Sequence, residues 1–262
     1  MADPFHLTFL GTGTSVGVPV IGCACAVCTS GDSRNRRTRS SIHLEAGDHS
    51  VLVDSGPDLR EQALREGLTR VDAVLYTHAH LDHVVGFDEL RAFCWKRDTP
   101  LPMYGGRETL DSLRQMFPWA FSPDNVYKGY VKPDPVPLDG PFSLGELAIT
   151  PLPVLHGRME THGFLFDHPG HPPVAYLPDV KEIPPATRAM LRNVDILILD
   201  SLRPEPHPTH LSITEALSMI EEIEAAQAWL THLGHENDHA TLAAGLPPNI
   251  HVAYDGLRLP AF

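Results

Sequence analysis

The strongest constraint on the fold is a recurrence. Short runs such as "HLTFLG", "SIHLEAG", "SVLVDSG", "AVLYTHAH", "LAITPLPVLH", "GFLFDH", "PVAYLPD", "DILILDS", "AAQAWLTH" and "HVAYDGLRL" follow one another along the chain. They are rich in Val, Ile, Leu, Tyr and Phe and are bounded by Gly, Pro or Asp, the signature of strands. Helical patterns fall between them. "PDLREQALREG" has Pro57 near its first turn and Gly67 as a stop. "RETLDSLRQMF" places apolar residues at helical spacing, and "SITEALSMIEEIEAA" opens with Ser212 and Glu215 in capping-box register. Strands alternating with helices predict an α/β architecture of layered sheets under outer helices. The Pro-rich stretch 131–141, "VKPDPVPLDGP", reads as a surface loop or an edge connection. No linker or internal repeat interrupts the pattern, so one domain over residues 1–262 is expected; 42% hydrophobic residues can give it a substantial core.

A formal net charge of −13 argues against broad binding to nucleic acid or anionic membrane, but leaves room for a small phosphate site. No apolar stretch has bilayer-spanning length. "MADPFHLTFLGTG" lacks a basic segment followed by a long apolar one, so no signal peptide is expected. Four cysteines, three of them clustered, do not resemble a disulfide scaffold in a chain of this size. A cytoplasmic location is the expectation.

Residues 77 to 86, "THAHLDHVVG", place His78, His80, Asp82 and His83 directly after an apolar run. Residues two apart on a strand share a face, so His78 and His80 can converge on one point. Imidazoles and a carboxylate suit zinc, manganese or iron. Other predicted strand ends repeat the theme: "LPVLHG" ends in His156, "VAYLPD" in Asp179, and "AWLTHLGH" in His232, with His235 just beyond. Any one of these alone reads as a cap or a surface group. Together they supply a ligand set for two metals about 3.5–4 Å apart, as in two-metal hydrolases, with Asp179 able to bridge.

A second cluster, "CACAVC", contributes Cys23, Cys25 and Cys28. Three thiolates lack one ligand for a closed tetrahedral zinc site, and His235 can complete it. Three reduced cysteines in a Gly-bounded loop is the competing reading. Cys94, in "AFCWK", is most simply a small buried apolar residue.

H-x-H-x-D-H followed by a separate His, an Asp and a final His resembles the metallo-β-lactamase superfamily, along nearly the whole chain from "TFLGTGTSVGVP" through "VDSGPD" to "VAYDG". The resemblance implies an αββα sandwich with two divalent metals, Mn or Zn, at one edge between two sheets. It implies that Asp54 in "VDSG" orients the ligand loop. A histidine at position 80, where oxygen-reducing relatives place a carboxylate, resembles the hydrolytic branch. C-x-C-x-x-C near the N-terminus with a distant "THLGH" (231 to 235) is similar to the PhnP-type phosphodiesterases of phosphonate metabolism. That similarity implies structural zinc on Cys23, Cys25, Cys28 and His235, and a catalytic pair on His78, His80, Asp82, His83, His156, Asp179 and His232. It also implies that His210 in "PTHLSITEA" assists the leaving group, whereas its position by itself fits a loop residue ahead of the Ser212 cap.

The implied activity is hydrolysis of a small cyclic phosphodiester such as phosphoribosyl 1,2-cyclic phosphate. Asp82 would orient the nucleophile while binding metal, and His210 would protonate the departing alkoxide. The expected partner is that small substrate; a homodimer is allowed, and neither membrane nor extensive nucleic-acid binding is expected. Arg34, Arg36, Arg37 and Arg39 in "RNRRTRS" can reach phosphate, but most are expected to be solvated or paired with acidic groups. The alternatives are an endoribonuclease of the tRNA 3′-end-processing kind, a thioester or lactam hydrolase, and a metal-dependent sensor without turnover.

Overall fold

The computed structural model describes residues 5–259. The strands are β1 Phe5–Gly11, β2 Ser41–Ala46, β3 His49–Val53, β4 Ala73–Leu75, β5 Leu101–Gly105, β6 Pro133–Pro137, β7 Phe142–Leu144, β8 Leu147–His156, β9 Met159–Asp167, β10 Val174–Leu177, β11 Ile196–Asp200, β12 Gln227–Thr231, β13 Ile250–Val252 and β14 Arg258–Leu259. They form two sheets, ordered β14-β1-β2-β3-β4-β5-β6 and β13-β12-β11-β10-β9-β8-β7. Each sheet is antiparallel on one side and parallel on the other: β3 to β6 run parallel, as do β10 to β13. A parallel neighbour requires a crossover, and helices occupy these crossovers. Leu59–Glu66, Arg107–Met116, Pro185–Leu191, Ile213–Ile223 and His239–Ala244 are among them.

The alternation of strand side chains builds the layers. In β11, Ile196 and Ile198 face the other sheet, while Leu197 and Leu199 face the helices. In β3, Val51 and Val53 point inward and Leu52 points outward. One core lies between the sheets, joining Phe5, Phe9, Ile42 and Val53 to Phe164, Phe166 and Tyr176. Two others lie between each sheet and its helices. Both faces of each central strand are covered, which is why these runs read as continuously apolar. The result is the αββα arrangement.

The three anticipated helices form. Gly67 ends Leu59–Glu66 in the left-handed region at φ 66. Ser212 and Glu215 close a capping box on Ile213–Ile223. The Pro-rich stretch, expected as a surface loop or an edge connection, lies at an edge but as a strand: Pro133–Pro137 is the terminal strand of the first sheet. Its prolines can leave backbone donors missing on the outer side because an edge strand has only one neighbour. β5 and β7 are further strands that the sequence pattern did not reveal. Among the described residues no helix is long and apolar enough to cross a membrane.

Candidate metal centre and active site

The candidate ligands gather where strands of both sheets end. β4 runs into Thr77 and His78, β8 ends in His156, β10 leads to Asp179, and β12 leads to His232. His78 and His80 were expected to share a strand face. They lie instead beyond β4, which ends at Leu75, and His80 is the N-cap of the short helix Leu81–Val84. They converge through different ring nitrogens, His78 Nε2 lying 2.8 Å from His80 Nδ1. The helical turn then carries Asp82 and His83 to a neighbouring point.

Two ligand groups result, each with its donor atoms within 4.8 Å of one another: His78, His80, His156 and Asp179, and then Asp82, His83, Asp179 and His232. Asp179 belongs to both. Its Oδ2 lies 3.9 Å from His78 Nε2, 3.8 Å from His156 Nε2 and 3.4 Å from His232 Nε2, while Oδ1 lies 3.2 Å from His83 Nε2. Although that last pair is close, its geometry is not that of a hydrogen bond. His83 Nε2, His232 Nε2 and Asp179 Oδ1 are buried without a hydrogen-bond partner. Buried polar atoms are ordinarily satisfied, so orphaned donor atoms aimed at common points fit cations.

The electrostatics agree. Burial opposes charge on His83, yet Asp179, Asp82 and Asp54 outweigh it and hold its pKa well above the usual imidazole range. The surrounding carboxylates therefore call for positive charge there. Burial pushes His78 well below its ordinary value, His156 below it, and His232 down to about 4, which keeps those rings neutral and able to ligate.

The ligands are held from behind. Asp54 Oδ2 lies 2.7 Å from His83 Nδ1, while its Oδ1 accepts from Thr77 N at 2.9 Å. Thr77 Oγ1 in turn lies 3.0 Å from His78 Nδ1. Asp54 makes these contacts from a left-handed backbone, φ 65, a conformation uncommon for a non-glycine residue. His156 Nδ1 donates to Thr209 O at 2.7 Å. Such outer contacts orient ligand rings and select their tautomers.

His210 lies in this centre. Its ring stacks on His232 at 4.6 Å and meets His156 edge-on at 4.6 Å. His210 Nδ1 is 2.7 Å from Asp200 Oδ2, which also accepts from Val180 N. Asp200 escaped the sequence reading; the only hint was its place at the end of "DILILD", a position shared with Asp179 and easily taken for a cap. Burial pushes Asp200 up to about 7, against the opposing effect of His210. Burial lowers His210, but the Asp200 hydrogen bond and charge outweigh it and raise its pKa. Both shifts keep a proton in the pair near neutral pH.

The cysteines form a separate centre. The Sγ atoms of Cys23, Cys25 and Cys28 lie 3.3, 3.5 and 3.5 Å from His235 Nδ1. Zinc–ligand lengths at a tetrahedral angle put sulfur and nitrogen about 3.6 Å apart, so the donor set fits zinc. Donation from Cys28 N draws the Cys25 thiol down to about 6, toward the thiolate that ligates metal. Cys94 is buried in the apolar core beside the first sheet. Of the arginines, Arg34 pairs with Asp32 and Arg39 with Asp58, Arg36 is exposed, and Arg37 is buried among carbonyls.

Residues 49–233 match the model of the beta-lactamase superfamily domain, and the chain belongs to that superfamily. Within it the chain is PhnP-like: the crystal structure of a new diphosphatase from the PhnP family superposes with a TM-score of 0.90 at 38% identity, covering 99% of this chain and 98% of that one. An octanoyltransferase of Porphyromonas gingivalis (strain ATCC BAA-308 / W83) is 39% identical over 255 residues, 95% of this chain. The chain spans only 50% of that relative's length. Zn²⁺-bound PqqB from Methylobacterium extorquens shares the fold, with a TM-score of 0.79 at 24% identity over 97% of this chain and 99% of that one.

Proposed function

We propose that this chain is a metal-dependent hydrolase of small phosphoric esters, with a cyclic phosphodiester such as phosphoribosyl 1,2-cyclic phosphate as the leading substrate class. The observation that carries this reading is the pair of ligand groups sharing Asp179, with the Asp200–His210 pair alongside. Two divalent cations, Mn or Zn, supply when bound an activated water and positive charge against phosphoryl oxygens. His78, His80 and His156 would hold one, Asp82, His83 and His232 the other, and Asp179 both. Cys23, Cys25, Cys28 and His235 would hold a structural zinc.

The remaining steps belong to the chain's own side chains. Asp82 is 12% exposed, unlike the fully buried His83 beside it, so its carboxylate can accept a hydrogen bond from the attacking water and aim it. Asp200 holds His210 by Nδ1, leaving Nε2 to carry a proton to the departing oxygen. An alkoxide needs that proton, whereas a stabilised phenolate leaves without it. The PhnP-family relative is described as a diphosphatase, which extends the candidate substrates to phosphoric anhydrides. The name of the longer octanoyltransferase relative keeps a thioester among the compounds to test.

The test is a panel assayed with Mn²⁺ and with Zn²⁺: bis-p-nitrophenyl phosphate, a ribose cyclic phosphate, a diphosphate, RNA and an acyl thioester. Turnover of the small phosphates is the expected outcome. Cleavage of RNA or thioester with no action on any small phosphate would overturn the reading.

A further inference from the structure

The ligand histidines are not held alike. His78, His83 and His156 each have the second ring nitrogen fixed, by Thr77 Oγ1, Asp54 and the Thr209 carbonyl. His232 lacks this support. Its Nδ1 is buried without a hydrogen-bond partner, the nearest carboxylate oxygen of Asp200 being 3.8 Å away. Apart from its stack on His210, its position therefore depends on its backbone, which is left-handed at φ 57. A non-glycine residue stays in that region only where its surroundings over-determine it.

Those surroundings lie in the segment that follows. His235, the histidine of the cysteine site, comes three residues later. Between them Leu233 N donates to Thr12 O at 2.9 Å and Gly234 N to Leu202 O at 2.8 Å. Arg37 clamps the outer side of the turn, its Nη1 donating to Gly234 O at 3.2 Å and its Nη2 to Asn237 O at 2.8 Å. Arg37 is only 1% exposed, and among the described residues its remaining side-chain hydrogen bond goes to Asn35 Oδ1, not to a carboxylate. Burying a guanidinium bonded to neutral oxygens is costly: burial pushes Arg37 down to about 10, against the more distant charges of Asp255, Asp238 and Asp32. Its backbone bonds Val18 in both directions, and Val20 N donates to Cys28 Sγ, so Arg37 also grips the segment leading into the cysteine loop.

We propose that Arg37 is a positioning residue that, together with the cysteine site, fixes the 232–237 turn and thereby the placement of His232. Occupancy of the cysteine site by zinc then sets the affinity of the active-site position formed by Asp82, His83, Asp179 and His232. The position formed by His78, His80, His156 and Asp179 is insulated, because His78 and His156 have their own supports and none of its histidines lies in the 232–237 turn. The proposal rests on the metal reading of both centres.

The test uses Arg37→Met, Arg37→Lys and Cys25→Ser with Mn²⁺ as the active-site probe, read by calorimetric titration and by electron paramagnetic resonance, and with elemental analysis for zinc. Wild-type protein should show the spin-coupled signal of a pair. Arg37→Met should bind one Mn²⁺ nearly as wild type and the other about 10–100-fold more weakly, the usual cost of losing an outer contact. Its spectrum should become the six-line signal of a single ion, matching His232→Ala. Arg37→Lys should recover part of the loss, and Cys25→Ser should reproduce it. Linkage also requires the reverse: at equilibrium with a competing chelator, wild-type protein saturated with Mn²⁺ should retain zinc more tightly than protein without Mn²⁺. A folded Arg37→Met that fills both positions like wild type, or weakens both equally, overturns the coupling. If the variants fail to fold by circular dichroism, the chelator experiment on wild-type protein decides, and zinc retention indifferent to Mn²⁺ overturns it. Wild-type protein that binds no metal would sink the metal reading and this proposal with it.

Discussion

The cysteine centre and the histidine–aspartate centre sit on either side of one short turn, yet they are built differently. Cys23, Cys25 and Cys28 come from a single loop and all are partly exposed. They meet one histidine, all three sulfurs at nearly equal distance from its Nδ1. Four donors close a tetrahedron and leave no place for substrate, which suits a structural role. The other centre draws donors from the ends of several strands, buries most of them, and leaves His83 Nε2, His232 Nε2 and Asp179 Oδ1 without hydrogen bonds. Its Asp82 is 12% exposed, and the Asp200–His210 pair stands beside it. A closed donor set contributes to folding, whereas an open one contributes to chemistry.

Removing the shared ligand should have the largest effect. Asp179→Ala should lower occupancy at both active-site positions while leaving zinc at the cysteines, and should cost about 10³-fold or more in turnover, since cation stabilisation is worth several kcal/mol. Elemental analysis beside a rate measurement checks this. Normal occupancy at both positions would mean that the carboxylate does not bridge.

His210→Ala separates binding from proton transfer within the open centre. Both metals and binding of a phosphate inhibitor should persist, while hydrolysis of a substrate with a poor alkoxide leaving group slows about 10²–10⁴-fold. A p-nitrophenyl ester should suffer less. An equal, small loss on both substrates would reduce His210 to a loop residue ahead of the Ser212 cap, and loss of a metal would make it a ligand.

Cys25→Ser tests the other side of the comparison. It should lose zinc and lower the melting temperature by several degrees, because structural metal binding is folding free energy. The position formed by His78, His80 and His156 should still fill. Zinc content and melting temperature equal to wild type would refute the closed site.

The smallest effect concerns a buried histidine outside both centres. His43 Nε2 meets Ser50 Oγ at 2.8 Å, and burial holds its pKa down at about 4, against about 6.5 for an ordinary imidazole. Between those values the unfolded chain binds more protons than the folded one. Stability should therefore fall on acidification through that window, by on the order of 3 kcal/mol, and stop falling from this cause below it. His43→Asn should flatten that part of the pH profile in denaturant titrations; an unchanged slope would show that His43 does not contribute.

The centres also differ in how far they could be read from the chain. The C-x-C-x-x-C loop and H-x-H-x-D-H run are dense local patterns, and their members meet largely because few backbone torsions separate them. Even there the expected geometry was incomplete: His78 and His80 converge through a loop and a helix N-cap, not along a strand face. β6 was obscured because its prolines suppress a strand signal that pairing at a sheet edge overrides. Asp200 was passed over because a carboxylate after an apolar run has the same sequence appearance whether it caps a strand or orients His210.

The chain by itself determined the alternation of strands and helices, the ligand types and the helix capping, since these depend on side-chain chemistry and on neighbours a few positions away. Only the tertiary structure decided which histidine is paired with Asp200 and that Arg37 grips the turn shared by the two centres. Arg37 reaches Asn237 across 200 positions and His210 reaches Asp200 across 10. Contacts of either span arise from the way two sheets stack and where their strands end, a property of the packed layers that no local pattern encodes.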